Sequence, residues 1–249
     1  MSLLAVSGLC KRFGGVVAAR EVSFALDPGE VVAMIGPNGA GKSTIFNMIG
    51  GQLPPDEGDI MFDGRPIAGL APRTIWREGM GRTFQIAATF ASMTLAENVQ
   101  MALLSRHRRL YGLWRPAAGL YRDEAVALLE RVGMGTQAGR PCGLLAYGDV
   151  KRVELAIALA NAPKLLLMDE PTSGMAPEER LSLMRLISDI VAEQSISVLF
   201  TEHDMDVVFG HAQRIIVLER GVIVAEGAPE AVRADPHVQE IYLGRAAGA

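Results

Sequence analysis

Cysteine is scarce in this chain, with only Cys10 and Cys142 among 249 residues. Two isolated thiols without metal-ligand spacing exclude a disulfide framework and a thiolate metal site, and they read as free thiols of a reducing compartment. Long apolar runs are missing as well. No uncharged apolar stretch reaches about 18 residues, so no segment reads as a membrane-spanning helix. The N-terminus lacks the basic-then-apolar order of a secretory signal, which makes the cytoplasm the expected compartment. Positive charge is not in excess, and a formal net charge of −4 argues against nucleic acid as the main partner. Internal repeats, low-complexity tracts and heptad runs are absent. What is present is a 49% hydrophobic composition, enough to bury a full core as one large α/β domain or two closely packed lobes.

The most specific pattern is the run Gly36-Pro37-Asn38-Gly39-Ala40-Gly41-Lys42-Ser43-Thr44, which fits the phosphate-binding loop G-x-x-x-x-G-K-[ST] at each fixed position. Its glycines allow a tight turn that points successive N–H groups inward as a nest for the β- and γ-phosphates of a nucleotide. Lys42 adds a mobile positive charge, and Ser43 offers a hydroxyl to the accompanying Mg²⁺. A buried-strand pattern precedes the loop at Val31–Ile35 and a helical one follows at Ile45–Ile49, so the dipole of the helix also faces the anion.

Strand patterns open the chain at Leu3–Ser7, Val22–Leu26, Val31–Ile35 and Asp59–Phe62. From about Thr94 to Leu159 the periodicity turns helical, with segments Leu95–Leu104, Tyr121–Val132 and Val150–Ala160. Strand and helix then alternate through Lys164–Met168, Glu178–Ala192, Ser197–Phe200, Asp204–Phe209, Ile215–Leu218 and Val222–Ala225, which implies a parallel sheet covered by helices. Pro236–Gly244 reads as a terminal packing helix. The apolar run Leu165–Met168 ends in Asp169-Glu170, placing two carboxylates at the edge of the sheet where ligands bind. Asp169 suits a metal and Glu170 suits a base for the water that attacks a γ-phosphate.

With these pieces in order, and with Gln85 in GRTFQ, Leu145-Ala146-Tyr147-Gly148-Asp149, the turn Ser173–Pro177 and His203 in TEHD, the chain resembles the nucleotide-binding subunits of ABC transporters over nearly its whole length. The resemblance implies an α/β fold of the ABC-type P-loop NTPase class, with a mixed-sheet core, an antiparallel β subdomain and an inserted helical subdomain. Residues 1–85 and 160–249 would form the catalytic lobe, and about 86–159 the helical one. It implies ATP and Mg²⁺ as ligands, Glu170, His203 and Lys42 as the catalytic set, and Ser43, Gln85 and Asp169 at the metal. Phe13 stands where an adenine-stacking aromatic is expected, and it reads equally as a core phenylalanine. Gly148, just before an apolar-periodic helix, would cap the γ-phosphate held by the loop of a second ATP-binding subunit, so that two chains sandwich two nucleotides. The second subunit is either another copy or a related cassette.

Two departures stand out. Ala146 and Asp149 replace a serine and a glutamine common in the signature, and Ala176 stands where the inter-subunit loop often has aspartate. With GRTFQ, DEPTSGMAP and the ending Ile241-Tyr-Leu-Gly244, they are similar to the branch that takes up branched-chain and other hydrophobic amino acids. That branch implies membrane permease subunits, indirectly a periplasmic solute-binding protein, no nucleic acid, and a peripheral place on the cytoplasmic face of the plasma membrane. The alternative is an ABC ATPase of DNA repair or translation. Arg106-His-Arg-Arg109, with Tyr111, Trp114 and Arg115, reads as a solvated or docking face of the helical insert, and His107, His211 and His237 as surface or locally bonded side chains.

Overall fold

The structure is a computed structural model that describes residues 2–83, 89–107 and 119–243. The described strands form two sheets. The antiparallel sheet comprises β1 (Leu4–Phe13), β2 (Val16–Leu26), β4 (Glu57–Phe62) and β5 (Arg65–Pro66), in the order β2-β1-β4-β5. Its first two strands run past the expected limits. Gly8 turns into the left-handed region at φ 59° and the β1–β2 register shifts nearby, so the bulged ribbon continues across residues whose alternation alone is weak.

The six-stranded sheet has the order β10-β9-β3-β8-β7-β6. Its middle strands β3 (Val31–Ile35), β7 (Leu165–Asp169) and β8 (Ser197–Thr201) are almost wholly buried, as expected for parallel strands covered on both faces. β9 (Arg214–Glu219) continues the parallel set, and β10 (Val222–Gly227) returns antiparallel to it. The edge strand β6 (Met80–Thr83) pairs in parallel with β7. Its sequence, Met-Gly-Arg-Thr, has no strand pattern; Gly81 is there because a Cβ would come 2.8 Å from a Leu166 methyl.

One core lies between the two sheets, with α1 (Lys42–Ile49) contributing Ile45, Phe46, Met48 and Ile49. The other lies beneath the helices on the opposite face. These are α3 (Leu95–Arg106), α4 (Arg122–Arg131), α5 (Tyr147–Leu159), α6 (Pro177–Gln194) and α7 (Met205–His211). α3 starts on a reciprocal cap, in which Thr94 Oγ1 accepts from Glu97 N and Glu97 Oε2 accepts from Thr94 N. α6 buries Leu183, Met184, Ile187, Ile190 and Val191, one stripe at helical spacing, and ends at Ser195 in the left-handed conformation. Three further short α-helices among the described residues are α2 (Pro72–Arg77), α8 (Pro229–Ala234) and α9 (Pro236–Leu243), of which only the last has a visible sequence pattern.

One boundary differs in a way that matters. α5 begins at Tyr147, not Val150; Ala146 is its N-cap, and Val150 N donates to Ala146 O at 3.1 Å. Gly148 is therefore buried inside the first turn rather than placed ahead of the helix, and a Cβ on it would stand 3.3 Å from Met175 Cε. The absence of a side-chain cap at Ala146 hides this start from a reading based on capping signals.

Candidate active site at the edge of the parallel sheet

Because β3, β8 and β7 are parallel neighbours, the chain leaves all three at the same edge, after Ile35, Thr201 and Asp169. The run Gly36–Gly41 folds over this edge. A Cβ on Gly36, at φ 155°, would fall 2.2 Å from Leu218 O, and one on Gly41, at φ 105°, 2.2 Å from Ala18 O. Only glycine lets the loop lie that close to the backbones of β9 and β2. The hairpin behind it is tied in by Gly221 N to Ala40 O at 2.9 Å and Arg20 N to Gly221 O at 2.8 Å.

The loop opens onto a cavity of about 460 Å³. Asn38, Gly39, Ala40, Gly41, Lys42, Ser43 and Thr44 line it together with Glu170 and His203. Lys42 is 7% exposed; its Nζ donates to Gly36 O at 2.7 Å and Pro37 O at 3.3 Å. Burial pushes its ammonium below the ordinary lysine value, while the charges of Glu170 and Asp169 pull it back up. Phe13, 50% exposed, also lines the cavity with Val16 and Val17 and so is not a core side chain.

The acidic pair is held by the neighbouring strand. Thr201 Oγ1 donates to Asp169 Oδ1 at 2.8 Å and accepts from Glu170 N at 3.0 Å. Arg82, at the end of β6, lies 3.8 Å from Asp169 Oδ2 and donates to Phe46 O at 3.0 Å, joining the acid to the far end of α1. Glu170 adopts φ 48°, a conformation that costs a non-glycine residue about 1–3 kcal/mol and persists only where surroundings impose it. Its backbone N also donates to Thr201 O at 3.1 Å, and its Oε1 meets His203 Nε2 at 2.6 Å. Thr201 and Arg82 lie inside TEHD and GRTFQ, segments singled out in the sequence for His203 and Gln85; that these two side chains hold the acidic pair is visible only where the strand ends meet.

The structure does not bring every expected residue to this cavity. Leu145, Ala146, Tyr147, Gly148 and Asp149 lie outside its lining, at the start of α5, with Tyr147 45% exposed and Lys151 Nζ 5.6 Å from its ring centroid. Gln85 falls outside the described residues, as do Arg109, Tyr111, Trp114 and Arg115. The three other histidines are locally bonded: His107 stacks on Tyr121, His211 Nδ1 is 3.0 Å from Ser188 Oγ, and His237 is 3.6 Å from Glu219. Asp169 also lies outside the cavity lining, although its charge acts on Lys42; its carboxylate and the Ser43 hydroxyl in the lining are hard oxygen donors of the kind Mg²⁺ prefers.

A glycine nest, a buried lysine and a strand-end acidic pair on one parallel sheet define a P-loop nucleotide-binding enzyme. Comparison with known proteins gives the family. The model of the ABC transporter family matches residues 19–173, and that of the branched-chain amino acid ATP-binding cassette transporter matches residues 222–248. The chain belongs to the ABC transporter family and is one of its ATP-binding, ATP-hydrolysing cassettes. It is 39% identical to the high-affinity branched-chain amino acid transport ATP-binding protein LivG of Escherichia coli and 40% identical to BraF of Pseudomonas aeruginosa, over 98% of each chain. Among solved structures, a cassette in its ADP conformation has a TM-score of 0.87 at 34% identity, covering 98% of this chain and 99% of that one. A dimeric post-hydrolysis cassette bound to ADP and Pi has 0.77 at 26%, covering 91% and 98%. These matches support the importer reading and not the DNA-repair alternative. Among the described residues no helix is long and apolar enough to cross a membrane.

Proposed function

We propose that this chain hydrolyses ATP to drive uptake of branched-chain amino acids, or a related small solute, through separate permease subunits. It works at the cytoplasmic face of the plasma membrane, and a periplasmic solute-binding protein delivers the cargo. The observation that carries the reading is that the phosphate loop, Glu170 and His203 line one and the same cavity.

In this reading the loop amides and Lys42 hold the β- and γ-phosphates, and Phe13 stacks on adenine. Ser43, Asp169 and Gln85 hold Mg²⁺, which when bound neutralises phosphate charge. Glu170 accepts a hydrogen bond from the attacking water and orients it, while His203 Nε2, now on Glu170, turns toward the γ-phosphate. The segment Leu145–Asp149 serves the loop of a second cassette, its uncapped N–H groups facing the phosphate there. Residues of about 86–159 act as a helical lobe that carries motion from the site toward the permease.

Steady-state hydrolysis with a parallel nucleotide titration tests this. Glu170→Gln should lower turnover by about 10²–10⁴-fold and leave ATP affinity close to that of the parent. Near-normal turnover in that variant would remove Glu170 from its role.

A further inference from the structure

His203 is flanked by two acids, and both reach back to the turn that follows Glu170. Glu202 is 4% exposed. Its Oε1 accepts from Thr172 N at 2.8 Å and from Thr172 Oγ1 at 2.6 Å, and its Oε2 accepts from His203 N at 3.2 Å. Asp204 Oδ2 accepts from Arg180 Nη1 at 2.7 Å, and Arg180 Nε donates to Met175 O at 2.8 Å. The second acid has another duty, since its Oδ1 caps α7 through Asp206 N at 3.0 Å. Glu202 has no such duty.

We propose that Glu202 is a positioning residue for hydrolysis: a buried clasp that fixes the turn from Pro171 to Met175 to the backbone of His203, and so holds the Glu170–His203 pair in one geometry. The inference rests on the roles proposed above for Glu170 and His203. Burying a carboxylate among neutral donors carries a desolvation cost that an apolar side chain would avoid. What the carboxylate provides is a short, charge-assisted grip on two segments at once. Those segments are 30 residues apart in sequence, and one backbone hydrogen bond, Glu170 N to Thr201 O, already sets their distance. The clasp adds the fixed orientation that a strained Glu170 requires. It also gives the turn that resembles the inter-subunit loop a path to the histidine within one chain, although Ala176 has no side-chain acceptor to offer.

The test uses the purified full chain with Glu202→Gln, Thr172→Val, Thr172→Ser and the double variant Glu202→Gln/Thr172→Val, beside Glu170→Gln. Turnover, KM for ATP and the urea midpoint are measured for each. Loss of the clasp should lower kcat by about ten- to a hundredfold, the scale of a misplaced catalytic group, with KM within about twofold. Thr172→Ser should restore most of the rate. The double variant should be no slower than the worse single one, because both remove the same contact. Unchanged kcat in Glu202→Gln and Thr172→Val, while Glu170→Gln is inactive, would overturn the clasp and leave the reading of Glu170 standing. Losses that follow the urea midpoint and add in the double variant would also overturn it, since a merely structural role behaves that way. Undiminished turnover in Glu170→Gln would instead strike the reading on which the clasp depends.

Discussion

At the scale of single residues, the site rests on groups that are uncomfortable by themselves. Glu170 sits in a backbone conformation that favours glycine, and Lys42 is almost wholly buried with its charge directed at carbonyl oxygens. Both make sense where a phosphate is to be met: the lysine side chain needs only to rotate from Gly36 O to an anion, a far stronger partner. Lys42→Ala should weaken ATP binding by more than about tenfold, the change expected for losing a charge-assisted hydrogen bond to phosphate. A titration with Mg²⁺ present, showing unchanged affinity, would contradict the assignment. Gly41→Ala should be worse, because a Cβ 2.2 Å from Ala18 O forces the loop off β2. Both nucleotide affinity and the thermal midpoint should fall together in that variant.

At the scale of elements, the six-stranded sheet is pinned at its other edge by Arg214. Its Nε and Nη2 bond Glu30 at 2.6 and 2.8 Å, Nη2 also reaches Ala25 O at 2.6 Å, and Nη1 meets Glu226. Burial by itself raises the Glu30 carboxyl, but the Arg214 hydrogen bonds, the Asp27 N–H and the guanidinium charge outweigh it and leave the group below its ordinary value. A carboxylate depressed in the folded state stabilises fully above its unfolded pKa, and that stabilisation is lost as pH falls through the folded value. Arg214→Met should therefore cost about 1 kcal/mol at neutral pH, allowing for solvent screening, and the gap in urea midpoint from the parent should close below about pH 4. Phe200→Ala in β8 tests the core directly: a fully buried ring at the centre of the sheet should cost about 3–5 kcal/mol in the same assay. The long elements were legible because buried parallel strands and α6 have strong periodicity. β6 and α2 were not, since Met80–Thr83 is recruited by its place beside β7 and Pro72–Arg77 by the fit of Ile75 against the inter-sheet core.

At the scale of the whole molecule, the proposed function calls for a second cassette to complete the site. The start of α5 lies outside the cavity, with its first N–H groups uncapped by any side chain. Two chains related by a two-fold axis would bring each α5 start to the other's phosphate loop, with ATP as part of the interface. Glu170→Gln in ATP should run as a dimer by light scattering, and the same chain in ADP as a monomer, since ADP lacks the phosphate that α5 faces. A monomer in both, even at high concentration and with a related cassette added, would exclude this arrangement.

The sequence by itself determined the ligand class and the family, because a phosphate loop needs particular residue types at fixed spacing and the run Gly36–Thr44 supplies them in one uninterrupted stretch. It also singled out the acidic pair, at the end of an apolar run, and, by resemblance, the histidine of TEHD as candidates. Only the tertiary structure decided which side chains hold those groups. Arg82, Thr172 and the adjacent pair Thr201-Glu202 come from three segments distant in the chain, and nothing in local spacing links the three. It decided as well that Phe13 lines the cavity and that Gly148 is buried within α5 rather than ahead of it. The physical reason is common to all of these: they depend on contacts between segments distant in the chain, and a one-dimensional pattern records only the demands that a segment makes on itself.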